Sequence, residues 1–246
     1  MIQISETEVF GWEASIRGMR NPMNSWDKSD TKYFDRGGVF RVPKIGSNDL
    51  KLMKSLSKAG NDHGKFLRMI NVTCDITAPL YWWKEFDTYK VGTVSNSCST
   101  MHKIHEKPFN YDDFSCEHLF DIYDPGGKFL YDVLIPNPEN TNDGEVPGEC
   151  VLASMELLTL TIDVLNTYRD RFLRSKNKDY WWQMIQLLPS SYNQKRTIQL
   201  NYQVLKTMYH ARKNHKLDEW REFCKWCESL PYFREVCIDE RCYEID

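Results

Sequence analysis

Residues 71–105 constrain the fold more than any other stretch of the chain. They read NVTCDITAPLYWWKEFDTYKVGTVSNSCSTMHKIH. Val72, Cys74 and Ile76 alternate with polar neighbours, the period of a half-buried strand. Pro79 then fits the first turn of a helix running to about Tyr89, because a proline there has no backbone N–H to lose. Beyond it lies a loop rich in small hydroxyl residues: Thr93, Ser95, Ser97, Ser99 and Thr100. Such a loop has little apolar mass to offset the entropy of its own ordering. It is either ordinary polar surface or a segment held by a bound anion or nucleotide.

The flanking sequence alternates strand and helix signals. Residues 1–18 read as a strand with a polar exit, through Ile2, Ile4, Val9, Phe10 and Trp12, and residues 20–38 are rich in turn formers around Pro22 and Gly37-Gly38. The spacing of Leu50, Met53 and Leu56 predicts a helix over 47–59, capped by Ser47 or Asn48 and stopped by Gly60. After a turn at 125–127, residues 129–135 read as a strand and 136–149 as an exposed loop. A helix over 151–174 follows, with Leu152, Met155, Leu158, Ile162, Leu165 and Phe172 forming a wide apolar stripe. Further helices are expected over 180–188, 197–213 and 217–230, the first and last ended by Pro189 and Pro231. Mixed elements followed by helices give a single α+β domain over 1–246, with a helix-rich C-terminal half.

The charge balance limits the partners. The chain carries 32 basic and 35 acidic residues, a net charge of −3, which offers no broad basic surface to nucleic acid. No apolar run reaches the ~20 residues of a membrane span. The first residues lack a basic segment followed by an apolar one, so a cytoplasmic location is expected, with the eight cysteines reduced.

Local catalytic motifs are sparse. Cys224, Cys227, Cys237 and Cys242 could form a thiolate zinc site, but Cys227 shares an apolar helix face with Trp220, Phe223 and Leu230, which points to a buried structural thiol. Asp112, Asp113 and Glu117 read as a solvated acidic turn rather than a magnesium site. The six histidines are scattered, and neither a phosphate-binding loop nor a dinucleotide fingerprint is present. Asn201, Gln203, Thr207 and Arg212 are polar positions on the predicted 197–213 helix, with Gln203 off the face of Arg212.

Two segments together resemble the flavin-dependent thymidylate synthases. The first is residues 78–102. In that family a proline opens a helix, an Arg-His-Arg motif closes it, and an Asn-Glu-x-Ser-x-Arg-Tyr loop follows. Here the triplet falls on Thr88, Tyr89 and Lys90. With one extra residue between the motifs, the loop falls on Asn96, Ser97, Ser99 and Met101. The second is residues 187–220, with Leu188-Pro189, Asn201 with Gln203, Arg212 and Asp218-Glu219-Trp220 in the family's order, and the intervals from Pro189 to Asn201 and from Asn201 to Arg212 match the family's spacing. Residues 49–66 are similar to the helix and His-containing turn ahead of the family's strand. An arginine that the family carries upstream of Leu-Pro falls near Ile185.

The resemblance implies a mixed or antiparallel central sheet flanked by helices. It implies reductive methylation of dUMP to dTMP, with methylenetetrahydrofolate as carbon donor and NADPH reducing bound FAD. Arg212 would be catalytic, polarising the uracil. Ser97, Cys98 and Ser99 would line the nucleotide, with Glu85 and Thr88 reaching in from a neighbouring subunit of a homotetramer. FAD would meet Thr88, Tyr89, Lys90, Ser97, Asn201, Gln203 and Thr207. Where the family has two arginines and a histidine, this chain has one cation, Lys90. Two alternatives follow: a flavin- or nucleotide-binding homologue without the activity, or an enzyme of another pyrimidine nucleotide.

Overall fold

In a computed structural model of the chain, residues 1–33, 43–121, 133–136 and 149–238 are described. The first elements are β1 (Gln3–Phe10), α1 (Trp12–Arg20), β2 (Lys32–Tyr33), β3 (Pro43–Lys44) and α2 (Ser47–Lys58). Next come β4 (Asn71–Pro79), α3 (Leu80–Phe86), β5 (Val94–Ser97), α4 (Thr100–Lys103), β6 (Val133–Pro136) and β7 (Glu149–Leu152). The remainder is α5 (Ser154–Ser175), α6 (Lys178–Leu187), β8 (Asn193–Asn201), α7 (Tyr202–Arg212), α8 (Asp218–Ser229) and α9 (Phe233–Cys237). The expected turn at 125–127 and nearly all of the 136–149 loop lie outside the described residues.

The chain divides into two compact units. One comprises Ile2–Ala78, Trp82–Ser97 and Lys195–Asp246; the other comprises Met1, Pro79–Tyr81 and Cys98–Gln194. The first unit holds the α+β framework, a four-stranded antiparallel sheet in the order β1-β4-β8-β5. Val72, Cys74, Ile76 and Ala78 of β4 and Ile198 and Leu200 of β8 are buried, as period-two alternation requires. Trp82, Trp83 and Phe86 of α3 are buried as well, with Trp220 and Phe223 of α8 at ring distances of 4.9 and 5.8 Å from Trp82. These large rings fix α3 against α8 through the amount of apolar surface they remove from water.

Several sequence expectations are corrected. The segment after Phe10 is not a strand exit: Gly11 takes a left-handed φ of 91° and α1 begins at Trp12. A Cβ at Gly11 would lie 2.1 Å from the Met69 carbonyl oxygen, so only glycine lets the chain turn there. Neither Ser47 nor Asn48 caps α2. Asp30 does so from a distance, accepting from the backbone N–H groups of Asn48 and Asp49 at 2.9 and 3.1 Å. The helix expected to reach Tyr89 ends at Phe86, and the Thr88 hydroxyl donates to the Glu85 carbonyl at 2.7 Å.

The polar stretch after it is not all loop. Val94–Ser97 is an edge strand on β8, and Thr100–Lys103 is a helical turn. Val151 and Leu152 belong to β7, antiparallel to β6, and not to the long helix. The expected 197–213 helix is strand through Asn201 and helix only from Tyr202, with Asn201 as N-cap accepting from Val204 N–H at 3.1 Å.

Asp49, fully buried on α2, organises the loop before β2. Its carboxylate accepts from Arg20 Nε at 2.7 Å, Ser29 Oγ at 2.7 Å and Thr31 Oγ1 at 2.6 Å. It also accepts from the Asp30 and Thr31 backbone N–H groups. Arg20 donates onward to the carbonyls of Ser25 and Lys28. A buried ion pair is tolerated only with such full satisfaction.

The second unit has its own core, in which Leu158, Ile162 and Leu165 of α5 and Met184 of α6 meet Ile104, Phe109 and Phe114. Asn177 caps α6 by accepting from Asp179 N–H at 2.9 Å. No helix among the described residues is long and apolar enough to cross a membrane.

Candidate functional site

The site is built at the C-terminal end of α3, within the first unit. Burial of Trp82, Trp83 and Phe86 turns Glu85 away from the core, where it stays one-third exposed. Arg212, in the last turn of α7, reaches it: Nη1 donates to Glu85 Oε2 at 2.6 Å, and Nε donates to the Tyr89 hydroxyl at 3.0 Å. Trp220 Nε1 donates to the same Glu85 oxygen at 2.9 Å. The guanidinium carbon lies 4.8 Å from the Trp220 ring centroid and 5.7 Å from that of Tyr89. Carboxylate, hydroxyl and indole thus hold the guanidinium plane in place. Its Nη2 has no partner among the described residues and remains a double donor.

His215 completes the cluster. Its Nδ1 accepts the Leu217 backbone N–H at 3.2 Å, which leaves the ring proton of the neutral form on Nε2, 3.5 Å from Glu85 Oε2. Sequence reasoning overlooked this histidine; its place three residues after Arg212, in the turn before α8, was the available signal.

The other candidates are placed as follows. Lys90 is exposed. Gln203 Nε2 donates to Asn61 Oδ1 at 3.1 Å, and the Thr207 hydroxyl donates to the Gln203 carbonyl at 3.1 Å. Gln203 precedes Arg212 by nine positions, about 180° around a helix, so the structure does not bring them together. Ser97 ends β5 and is exposed. In the second unit, the Cys98 carbonyl accepts from Gln194 Nε2, and the Ser99 hydroxyl accepts from His102 N–H at the start of α4.

The turn from Tyr89 to β5 lies close over the start of α7. Gly92, with φ of 79°, passes so near that a Cβ there would lie 3.1 Å from Asn201 Nδ2 and 3.2 Å from Val204 Cγ2. The neighbouring Thr93 hydroxyl is buried without a partner among the described residues, and a buried polar group left so is costly unless something else meets it. Two surface cavities, of about 460 Å³ beside Trp12 and Tyr33 and about 190 Å³ beside Lys206 and His210, contain none of the candidate residues.

The thiols are structural in character. Burial pushes Cys74, Cys224 and Cys237 up to about 12, and Cys227 well above the ordinary thiol range. Among the described residues no group of three or more His, Cys, Asp and Glu side chains could hold a metal ion.

No protein-family model matches the sequence, and no curated protein matches it. Solved structures do. A flavin-dependent thymidylate synthase, ThyX from Helicobacter pylori, complexed with FAD and dUMP, is 14% identical with a TM-score of 0.60, over 96% of this chain and 98% of that one. A second structure of that enzyme with FAD and dUMP is 13% identical with a TM-score of 0.60 and covers all of both chains. A UMP/dUMP methylase, PolB from Streptomyces cacaoi, bound with 5-Br dUMP, is 14% identical with a TM-score of 0.55, over 96% of this chain and 93% of that one. The expectation drawn from the two motif segments holds at the level of architecture: this divergent chain has the fold of the flavin-dependent thymidylate synthases.

Proposed function

We propose that the chain is a FAD-dependent enzyme of pyrimidine deoxynucleotides, and that its reaction is reductive methylation of dUMP to dTMP with methylenetetrahydrofolate and NADPH. One observation carries the reading. Arg212 is held on three sides by Glu85, Tyr89 and Trp220, and its Nη2 donors are unclaimed among the described residues. A fixed guanidinium edge of this kind suits the carbonyl and imide nitrogen of a uracil ring. It stabilises negative charge developing there without having to reorganise. Because Glu85 binds Arg212 within one chain, a nucleotide sits beside that carboxylate or displaces it from Nη1.

Ser97, Cys98 and Ser99 would line the nucleotide, and Thr88 would reach in from a neighbouring subunit of a homotetramer; Glu85, expected from the neighbour as well, binds Arg212 of its own chain and would meet the nucleotide from there. The residues present fit a flavin in kind. Asn201, Gln203, Thr207, Thr88, Tyr89 and Ser97 offer neutral donors and acceptors, Lys90 offers a cation, and the Thr93 hydroxyl, without a partner among the described residues, neighbours Gly92 at its approach to Asn201. Held there, FAD would supply the hydride chemistry of the reduction, with NADPH as the reductant. Tyr89 keeps its hydroxyl proton for a further acceptor while it receives the Arg212 Nε–H.

A second reading is favoured by a separate observation: only Lys90 is cationic among Thr88, Tyr89 and Lys90, and lysine is a point charge where arginine is a fork. On that reading the chain binds flavin or nucleotide without methylating dUMP, or acts on another pyrimidine nucleotide. Absorbance spectra of the purified chain, titrated with FAD and then with dUMP and dCMP, separate the readings. Flavin binding perturbed by dUMP, with dTMP formed on adding both co-substrates, supports the first. A chain that neither carries nor takes up flavin rules it out.

A further inference from the structure

We infer that Arg196 is an anchor for a phosphate monoester; the inference rests on the pyrimidine-nucleotide reading and names the group that would hold the nucleotide's phosphate. Arg196 breaks the pattern of its strand. Ile198 and Leu200 set the buried row of β8, and position 196 continues that row, yet it carries a guanidinium and is only 14% exposed. Burying a guanidinium is unfavourable unless partners are built around it. Two are present. The guanidinium carbon lies 4.2 Å from the centroid of Trp83, itself buried, and Nη1 donates to Asp87 Oδ1 at 2.8 Å.

Stacking fixes the plane of the guanidinium, whereas Asp87 is half exposed, and an ion pair with a half-exposed carboxylate is a weak, exchangeable contact. Arginine can bury its stem and keep its head near water for packing alone. That purely structural role does not account for the neighbours. In the β5–β8 register Ser97 is the direct partner of Arg196 and Ser95 that of Ile198, so both serines share the face of Arg196. Both are exposed on an edge strand, and neither hydroxyl has a partner among the described residues. A stacked guanidinium beside two unclaimed hydroxyls is chemistry for phosphate oxygens, and Asp87 occupies the position such an oxygen would take.

The geometry also answers a question raised by the sequence. The family's cationic triplet falls on Thr88, Tyr89 and Lys90, just past the end of α3. Arg196 brings a fork-shaped cation to that same helix end from β8, more than a hundred residues later in the chain.

The test compares equilibrium binding of dUMP and deoxyuridine to the full chain. Arg196→Gln is expected to weaken dUMP about ten- to a hundredfold, as for loss of a charge-assisted hydrogen bond, and to leave deoxyuridine within about twofold. Asp87→Asn, which keeps the side-chain shape and removes the competing charge, is expected to tighten dUMP several-fold and leave deoxyuridine unchanged. Should Arg196→Gln fail to fold, the Asp87→Asn ratio decides alone. A wild-type chain that prefers dUMP while both variants keep its dUMP-to-deoxyuridine ratio overturns the role of Arg196 and leaves the nucleotide reading intact. A wild-type chain that binds neither compound overturns both.

Discussion

Arg212 and Trp220 donate to the same oxygen of Glu85, from Nη1 at 2.6 Å and from Nε1 at 2.9 Å. One carboxylate oxygen therefore ties the end of α7 to α8 through the end of α3. Removing the acceptor leaves the indole N–H of a fully buried tryptophan unsatisfied. Glu85→Ala is expected to lower stability by about 1–3 kcal/mol, the cost of an orphaned buried donor together with a lost ion pair. Glu85→Gln, which keeps an acceptor for Trp220, should recover much of that. Urea unfolding of the two variants checks the order.

Arg212 itself should separate binding from turnover. Arg212→Ala is expected to abolish conversion of dUMP while the protein still takes up FAD, because the candidate flavin side chains Gln203 and Thr207 lie around the helix from it. Arg212→Lys, lacking the planar fork, should recover little. Parallel flavin absorbance and product assays are the measurement; full activity in the alanine variant would remove Arg212 from the site.

At Gly92, alanine meets both a left-handed φ and a close approach to Asn201 and Val204. A loss of about 1–2 kcal/mol is expected from the backbone term alone. If this turn also borders the flavin, Gly92→Ala will bind FAD more weakly than a control of equal stability loss. Thermal melting and FAD titration together distinguish the two effects.

Stability should fall in alkali. Burial holds Cys74, Cys224 and Cys237 protonated in the fold up to about pH 12. In the unfolded chain the same thiols ionise from about pH 8.5. Between those limits the unfolded state binds fewer protons, so unfolding free energy declines as pH rises and is flat with respect to these groups below about pH 8. Denaturant melts from pH 7 to pH 10 should show the decline, and Cys→Ala substitution at these positions should reduce its slope. In the native protein, thiol labelling mapped by mass spectrometry should find exposed Cys98 ahead of Cys74, Cys224, Cys227 and Cys237.

Asp49 should be the most sensitive carboxylate of the fold. Asp49→Ala leaves Arg20, 4% exposed, without its counter-ion. A loss of about 3–5 kcal/mol is expected, as for breaking any buried pair from one side. A melting temperature within a few degrees of the wild type would contradict that assignment.

The elements most legible in the sequence were those with long periodic faces and local stops. The helices at Ser47–Lys58, Lys178–Leu187 and Asp218–Ser229 and the strand at Asn71–Pro79 all lie close to their predicted limits. Failures came where the decisive partner was remote. Ile198 and Leu200 fit a strand, but their closeness to the apolar positions of α7 let a helix pattern run through both. The break at Asn201 shows only as a capping side chain. The start of α1 rests on the left-handed turn at Gly11, required by the carbonyl of Met69 and by nothing adjacent in sequence. Within the site, the pairing of Arg212 with Glu85 spans 127 positions and that of Arg196 with Asp87 spans 109. Glu85 and Arg212 were reached through spacing shared with a known family. Arg196 was not, because a lone arginine on a strand has no local signature until Trp83 and Asp87 are seen beside it.

Asp30 caps α2 from the loop before β2, while Asp49 of α2 holds that same loop through Ser29, the Asp30 N–H and Thr31. Each side supplies acceptors for the other's backbone, so neither can open without orphaning donors in both. The loop and the first turn of the helix therefore form a single cooperative block. Their amide hydrogens should share one opening free energy in hydrogen exchange, although a dozen or more residues separate them along the chain.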